Sequence, residues 1–332
     1  MTRSILVTGG AGYIGSHMVK RLVREGHRVT VFDNFSTGHP DAISSAELVE
    51  GDLRVAADVV RAFDRQKIDV VMHFAAACYV GESVHQPARY YANNVSGTLN
   101  LLNVMHEHAV RQLVFSSTCS TYGDPLTLPM NEDHPQRPVN PYGMSKLTAE
   151  RAMADYGHAY GLRTVALRYF NAAGCDPEGD LGERHDPETH LIPLILREAL
   201  RVRAGGDPAD TRLQVFGNDF DTPDGTCVRD YVHIVDLCSA HLLALNRLGS
   251  RDRHGFEAFN LGTGNGYSVM DVIETCRRIT GQEIRYRFAQ RRAGDPARLV
   301  ASAARAHAEL GWSPQFNALD AIVETAWRWF SR

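Results

Sequence analysis

The sequence predicts an α/β protein: a doubly wound parallel sheet with helices on both faces, followed by a smaller α/β lobe. Three observations carry that prediction. Short apolar runs alternate with amphipathic helical stretches through residue 170. A glycine-rich turn follows the first apolar run. After Phe170 the alternation gives way to a stretch rich in Gly, Pro and acidic residues. At 332 residues the chain is long enough for a substantial core and two lobes.

Ile5-Leu6-Val7-Thr8 is a short apolar run ending in glycines, the pattern of a parallel strand buried on both faces. Helical spacing follows at Ile14, Met18, Leu22 and Val23 and stops near Gly26. Val29-Thr30-Val31-Phe32 makes a second strand and completes a strand–turn–helix–strand crossover. The pattern then predicts a strand over 46–49, a helix over 59–66, a strand over 70–74 and a long helix over 93–106. A strand over 113–116, a helix over 145–160 and a strand over 164–168 complete the doubly wound part. Residues 172–188 read as a long loop, and loops of that length are uncommon unless functional or disordered. A helix over 192–202 and a strand over 213–216 follow. Residues 231–248 look helical and are expected to pack back on the first lobe, with 256 to the end forming strands and helices of the smaller one. The implied division is a first lobe of 1–170 with 231–250 packed on it, and a second of 171–230 and 251–332.

Composition excludes several function classes. An apolar fraction of 44% and a charged fraction of 22% are those of an ordinary globular protein. The net charge is -4, with no basic run or basic-aromatic stripe for nucleic acid. No apolar stretch reaches transmembrane length, so no membrane role is expected. The N-terminus leads straight into a strand-like run and lacks the pattern of a secretory signal. None of the six cysteines (Cys78, Cys119, Cys175, Cys227, Cys238 and Cys276) is spaced as CxxC, so they read as unpaired thiols of a reducing cytoplasm. The 15 histidines include no HExxH helix, and no metal site is predicted.

The first motif is Gly9-x-x-Gly12-x-x-Gly15 between a strand and a helix. The first glycines permit a tight turn and let backbone amides approach a pyrophosphate, while Gly15 lets the helix press on the strand. Asp33 ends the second strand, where a carboxylate accepts from an adenosine ribose and repels a 2′-phosphate; Asn34, not arginine, follows it. The context predicts a Rossmann-type NAD site rather than an NADP site. Asp52, in Gly51-Asp52-Leu53, can accept from an adenine amino group or can equally be a turn aspartate. Phe74-Ala75-Ala76 offers small residues where a cofactor passes close, or simple core packing.

The second motif is Tyr142-x-x-x-Lys146. Residues four apart share a helix face, and an ammonium beside a phenol lowers its pKa from about 10. A tyrosine so tuned can take a proton from an alcohol near neutral pH. By itself the pair is more readily a surface Tyr/Lys pair on an ordinary helix.

Taken together, TGGxGYIG, Asp33, Ser116-Ser117-Thr118 and Tyr142-x-x-x-Lys146 resemble the extended short-chain dehydrogenase/reductase family, and within it the UDP-glucose 4-epimerases. Supporting segments run in family order over nearly the whole chain, among them His73-Phe74-Ala75-Ala76, Asn93-Asn94-Val95, Arg168-Tyr169-Phe170-Asn171, Val228-Arg229-Asp230-Tyr231 and Arg291-Arg292-Ala293-Gly294-Asp295. The resemblance implies NAD-dependent interconversion of UDP-galactose and UDP-glucose by transient oxidation at C4, rotation of the 4-keto sugar and re-reduction. Tyr142 is then the base, Lys146 lowers its pKa and holds the nicotinamide ribose, and Thr118 bridges the sugar O4 and the phenol. NAD would be tightly held and regenerated each cycle.

The cofactor site so implied takes in Gly9, Gly12, Tyr13, Ile14 and Gly15 from the glycine turn, and Asp33, Asn34, Ser36, Thr37 and Gly38 after the second strand. Asp52 and Leu53, Phe74, Ala75 and Ala76, Asn93, Ser116 and Phe170 complete it. On the substrate side, Arg229 and Arg292 suit a diphosphate, though without the resemblance residue type alone favours salt-bridged surface arginines. Asn171 and Asp295 match contacts to diphosphate and uridine ribose. Leu191 and Phe216 fit a uracil pocket, with Gln214, Val215 and Tyr231 nearby and His190 where some members carry asparagine. Leu299 falls beside the sugar C2 substituent, where a side chain smaller than an aromatic implies some activity on UDP-N-acetylglucosamine. A homodimer is expected from the family.

The chain departs from the family at Cys78, where some members have lysine, which puts cofactor retention in doubt, and at Thr118, where the hydroxyl is kept on threonine. A 4,6-dehydratase would place Asp-Glu after Thr118, and Cys119-Ser120 stand there instead. A 4-epimerase of another UDP-sugar, pentose or uronate, shares the C4 chemistry and stays open. A non-catalytic NAD sensor is disfavoured by the presence of both Tyr142 and Lys146.

Overall fold

The computed structural model of the chain describes residues 2–43, 45–249, 255–292 and 295–332. β1 (Ser4–Thr8) is buried at all five positions, as its unbroken apolar pattern requires. α1 (Tyr13–Arg24), β2 (Arg28–Asp33), β3 (Glu47–Glu50), α2 (Ala56–Asp64) and β4 (Val70–His73) follow the predicted alternation. The helix expected over 93–106 is present and begins earlier: after α3 (Val80–His85), α4 (Pro87–Tyr90), a π-helical stretch (Tyr91–Ser96) and α5 (Gly97–Glu107) run in succession. Such π stretches occur often at functional sites. β5 (Gln112–Thr118), α6 (Pro141–Tyr160) and β6 (Arg163–Tyr169) complete the predicted set.

The helix expected from residue 145 starts earlier. Asn140 caps α6, its side-chain oxygen accepting from Gly143 N at 2.8 Å, and Pro141 fills the first helical position, where the missing N–H is not needed. Tyr142 therefore stands in the first turn, with Lys146 one turn on along the same face.

Beyond β6 come β7 (Asn171–Ala173), inside the segment read as a loop, then α7 (Leu191–Arg203), β8 (Gln214–Phe216), β9 (Val228–His233) and α8 (Ile234–Leu248). The helix predicted over 231–248 thus begins only at Ile234. Tyr231–His233 belong to β9, because His233 turns its side chain to accept from Val235 N and caps α8. β10 (Gly255–Leu261), β11 (Gly266–Ser268), α9 (Val269–Thr280), β12 (Arg287–Ala289), β13 (Arg298–Leu299) and α10 (Leu319–Phe330) complete the chain.

Seven strands form one parallel sheet in the order β10-β6-β5-β4-β1-β2-β3. β10 pairs β6 from Gly255↔Arg163 to Leu261↔Tyr169, so residues 255–261 sit in the first lobe, not the second as the sequence division had them. One face is covered by α1, α8 and the segment from Ala303 to Trp312, and the other by α2, α5 and α6. The second lobe gathers α7, α9 and α10 around Ile195, Leu196, Val272, Ile273 and Val323. Its described strands pair as β11-β9-β13, with β7 on β9, and as β8 with β12. Connections leave β1 and β4 to opposite sides, and this reversal opens a crevice at the carboxyl ends of the strands.

Candidate active site

That crevice continues between the lobes as one cleft of about 830 Å³. All residues expected to touch cofactor or substrate, from Gly9 to Leu299, stand on its lining.

At the dinucleotide end, α1 begins at Gly12 with no capping side chain and no acid in its first turn. Its leading amides are therefore offered to an anion, reinforced by the helix dipole. The three motif glycines differ in their demands. Gly9 has φ +71°, and a side chain on it would meet the Ala75 backbone; one on Gly15 would run into the Gly9 carbonyl. A methyl on Gly12 would come no nearer than 3.4 Å to Gly9 O, an ordinary contact, so Gly12 keeps open space on the cleft side rather than inside the fold. Asp33 accepts from Ala11 N and Phe35 N, each at 2.9 Å, which fixes the glycine turn to the end of β2. Burial pushes its carboxyl up against these backbone donors. Asp52 is held by Arg54 (Nη2 at 2.6 Å) and Asn34 (Nδ2 at 3.0 Å), and the Arg54 hydrogen bonds keep its carboxyl far below the usual range. Both Asp52 oxygens are thus engaged within the protein, which limits the adenine contact expected of it. The cradle, the uncapped helix and an acid at the end of β2 suit a dinucleotide without a 2′-phosphate.

Tyr142, Lys146 and Thr118 converge near the middle of the cleft. Thr118 ends β5, accepts from Ser120 N at 3.1 Å, and lines the cleft with the Tyr142 phenol. Lys146 is buried, donates to Ser116 O at 2.9 Å and lies over the Phe115 ring. Burial brings its ammonium down to about 8. Burial is also the main influence on Tyr142 and pushes the phenol well up, with Cys78 and Tyr169 adding to the rise and Thr118 opposing it. Lys146 is not among the main influences on the phenol, and burial sets the direction of its shift. Cys78 opens onto the cleft on one side and is walled by protein on the others; burial raises its thiol, with His190 and Lys146 opposing.

Asn94 was not singled out by the sequence reading. From the π-helical stretch, its side chain bonds Ala77 N and Ala77 O, each at 2.9 Å, and Ser145 Oγ at 3.0 Å. Ser145 Oγ in turn donates to Tyr142 O at 2.7 Å. Asn94 thus couples the loop after β4 to the turn that carries Tyr142.

In the second lobe, Asp295 bridges the two arginines: Arg229 Nη2 reaches Asp295 Oδ1 at 3.3 Å and Arg292 Nε reaches Oδ2 at 2.9 Å. Arg229 also donates to Pro296 O, and the Arg292 guanidinium lies 5.0 Å from the Phe216 ring centroid. Two cations, an aromatic face and the strand residues Gln214 and Val215 so share one wall. Leu299 packs with Cys119, Tyr122, Met130, Phe170 and Ala301 beneath Thr118. His190, expected beside the uracil, caps α7 without a capping bond and stands among Glu183, His185 and Glu188, a grouping that the sequence reading did not see.

The family profile described as "NAD dependent epimerase/dehydratase family" matches residues 5–262. A UDP-glucose 4-epimerase of Halalkalibacterium halodurans is 49% identical over 326 residues, covering 98% of this chain and 95% of that protein. The crystal structure of UDP-glucose 4-epimerase from Brucella ovis in complex with NAD superposes with a TM-score of 0.92 at 46% identity, over 99% of this chain and 98% of that one. The Bifidobacterium longum UDP-glucose 4-epimerase in complex with NAD+ and UDP gives 0.91 at 38%, with 99% and 98% covered. A match spanning the whole parallel sheet, and relatives aligned end to end, carry the conclusion that this chain belongs to the NAD dependent epimerase/dehydratase family.

Proposed function

We propose that the protein inverts C4 of a UDP-hexose, interconverting UDP-galactose and UDP-glucose with NAD as a resident cofactor. The observation that carries this reading is one cleft joining an uncapped helix N-terminus, the Thr118–Tyr142–Lys146 group and the Arg229–Asp295–Arg292 bridge. When bound, NAD accepts a hydride from the sugar and returns it, and its oxidised ring adds positive charge to the cleft. Gly9, Gly12, Gly15 and the first turn of α1 would hold its pyrophosphate, and Asp33 its adenosine ribose. Tyr142 takes the O4 proton and later gives it back, with the Thr118 hydroxyl as relay. Lys146, fixed by Ser116 O, supplies the positive partner for the phenolate. Arg229 and Arg292 anchor the diphosphate, so the 4-keto sugar can turn while UDP stays in place. Leu299 on the wall leaves a smaller side chain than an aromatic beside the sugar, which supports turnover of N-acetylated substrates as well.

The first lobe, including β10, then serves the cofactor and the second the UDP-sugar. Exposed Leu99 on α5 and Met144 on α6 support a homodimer built on these helices. Six free thiols support a cytoplasmic location. No helix among the described residues is long and apolar enough to cross a membrane.

NMR of the purified protein with UDP-galactose and no added nucleotide tests the reading: UDP-glucose accumulates. Addition of UDP-N-acetylgalactosamine gives a slower second conversion. No product even with supplied NAD removes the hexose assignment and brings UDP-pentoses and UDP-uronates forward.

The glycine turn gives a sharper check. Gly12→Ala fits its backbone (φ -78°, ψ 177°) and should leave folding intact, gaining on the order of 0.4–1 kcal/mol. NAD affinity should nevertheless fall about tenfold or more, which is about 1.4 kcal/mol. Titration of NAD into the variant, beside its melting curve, separates the two effects; equal NAD affinity would remove Gly12 from the phosphate cradle.

A further inference from the structure

We propose that Glu183, His185, Glu188 and His190 form a structural zinc site on the flank of the cleft. One ligand atom from each lies within 4.8 Å of every other. The four nitrogen–oxygen separations are 2.7 Å (His190 Nδ1 to Glu183 Oε1), 3.1 Å (His185 Nδ1 to Glu183 Oε1), 3.3 Å (His190 Nδ1 to Glu188 Oε1) and 3.9 Å (His185 Nδ1 to Glu188 Oε1). A tetrahedron with bonds of about 2.0–2.1 Å has edges of about 3.3–3.4 Å, so these spacings bracket those of a zinc shell.

A second observation concerns hydrogen bonding. His185 Nδ1 and His190 Nδ1 are buried and lie close to the carboxylates, yet neither makes a hydrogen bond of acceptable geometry. Glu188, whose side chain is 0% exposed, leaves Oε2 without a hydrogen bond as well. Two carboxylates with side chains 4% and 0% exposed stand against the two imidazoles, which balance their charge only when protonated. Arg197 forms a long ion pair with Glu188 Oε2 at 3.9 Å. A divalent cation would neutralise both at once.

The donor set suits zinc: imidazole nitrogens and carboxylate oxygens in equal number. Four protein ligands leave no open position, which marks a structural rather than a catalytic site. Backbone N–H groups of Thr189 and His190 donate to Glu188 Oε1 at 2.8 and 2.9 Å and orient it from outside the shell. The setting says what the site would stabilise. Tyr13 of α1 and Tyr79 after β4 pack edge-on against His185 at 6.2 and 5.9 Å between centroids, and His190 opens α7. A metal here would pin the segment before α7 between the cofactor helix and the substrate lobe. The other acidic cluster, Asp176, Glu178 and Asp180, differs because Lys20 already lies among its carboxylates.

Full-length protein, equilibrated with zinc and then dialysed without chelator, should retain about one zinc per chain by elemental analysis. Glu183→Gln with His185→Ala should lower this to less than about one-tenth. Cobalt(II) loaded in place of zinc should show the intense visible bands of a four-coordinate site. That spectrum is read on the unmutated protein and so stands even where the double variant fails to fold. A chelator should lower the melting temperature and zinc restore it. Zinc below about one-tenth per chain, unchanged zinc in the folded variant, weak six-coordinate cobalt bands, or a melting curve indifferent to chelator would each overturn the site in favour of a proton-sharing His/Glu cluster.

Discussion

Tyr142→Phe is expected to reduce turnover of UDP-galactose by about three orders of magnitude or more while leaving UDP affinity nearly unchanged. A positioned general base contributes about 10²–10⁴-fold, and Tyr142 is the phenol that shares the cleft lining with Thr118 and Lys146. The substitution removes one oxygen and keeps the ring, whose edge-on contact with Tyr90 at 6.4 Å fixes its place in the first turn of α6. The diphosphate wall at Arg229 and Arg292 belongs to the other lobe and is untouched. Coupled assays of UDP-galactose conversion give the first quantity, and calorimetric titration of UDP the second. Turnover within tenfold of the unmutated protein would transfer the base role to another group. A parallel loss of UDP binding would mean that the ring, not the hydroxyl, was supporting the cleft.

The legible parts of this site are those set by local chemistry. Gly9, Gly12 and Gly15 could be read because three different backbone demands fall at fixed offsets between one strand and one helix. Tyr142 and Lys146 could be read because a helix turns a spacing of four into adjacency. The start of α6 was missed because the break before Asn140 looks like loop, although Asn140-Pro141 is a cap followed by a first-position proline. Gly255–Leu261 alternates no differently from a strand of the second lobe; only its pairing with β6 puts it in the main sheet. Tyr231–His233 continue without a break into the apolar face of α8, so periodicity extended the helix three residues too far. Asn94 and the Glu183–His190 cluster act through partners distant in sequence, or through one loop folded on itself, and neither leaves a periodic signal. Burial of the phenol was not legible either: sequence gives the proximity of Lys146 to Tyr142 but not desolvation, which pushes the phenol up.

Glu150→Ala is expected to destabilise the protein by about 3–5 kcal/mol, the cost of leaving a buried charge without its partner. Glu150 continues the stripe of Tyr142 and Lys146 by one more turn of α6 and enters the sheet below them. Arg168 on β6 meets it with two bonds, Nε to Oε1 at 2.9 Å and Nη2 to Oε2 at 2.7 Å, with both side chains nearly inaccessible. Ser117 Oγ donates to the same carboxylate at 2.5 Å, and Gln136 Nε2 at 3.2 Å. Arg168 passes the network on to the Tyr122 hydroxyl at 3.0 Å, which donates to Asn260 Oδ1 on β10 at 2.6 Å. One ion pair therefore ties α6, β5, β6 and β10 together, one residue along β5 from Thr118. Alanine would leave the Arg168 guanidinium facing apolar neighbours in the sheet, a loss far above that of a surface pair, where about 0–1 kcal/mol is usual. Glu150→Leu combined with Arg168→Met should recover much of the stability, since a buried pair is often matched by apolar residues of similar volume. That double variant should still turn over more slowly, because the strand end carrying Thr118 has lost its hydrogen-bond frame. Urea denaturation of the single and double variants measures both terms. A loss below about 1 kcal/mol for Glu150→Ala would mean that water reaches Arg168 and that the pair does not hold the floor of the site.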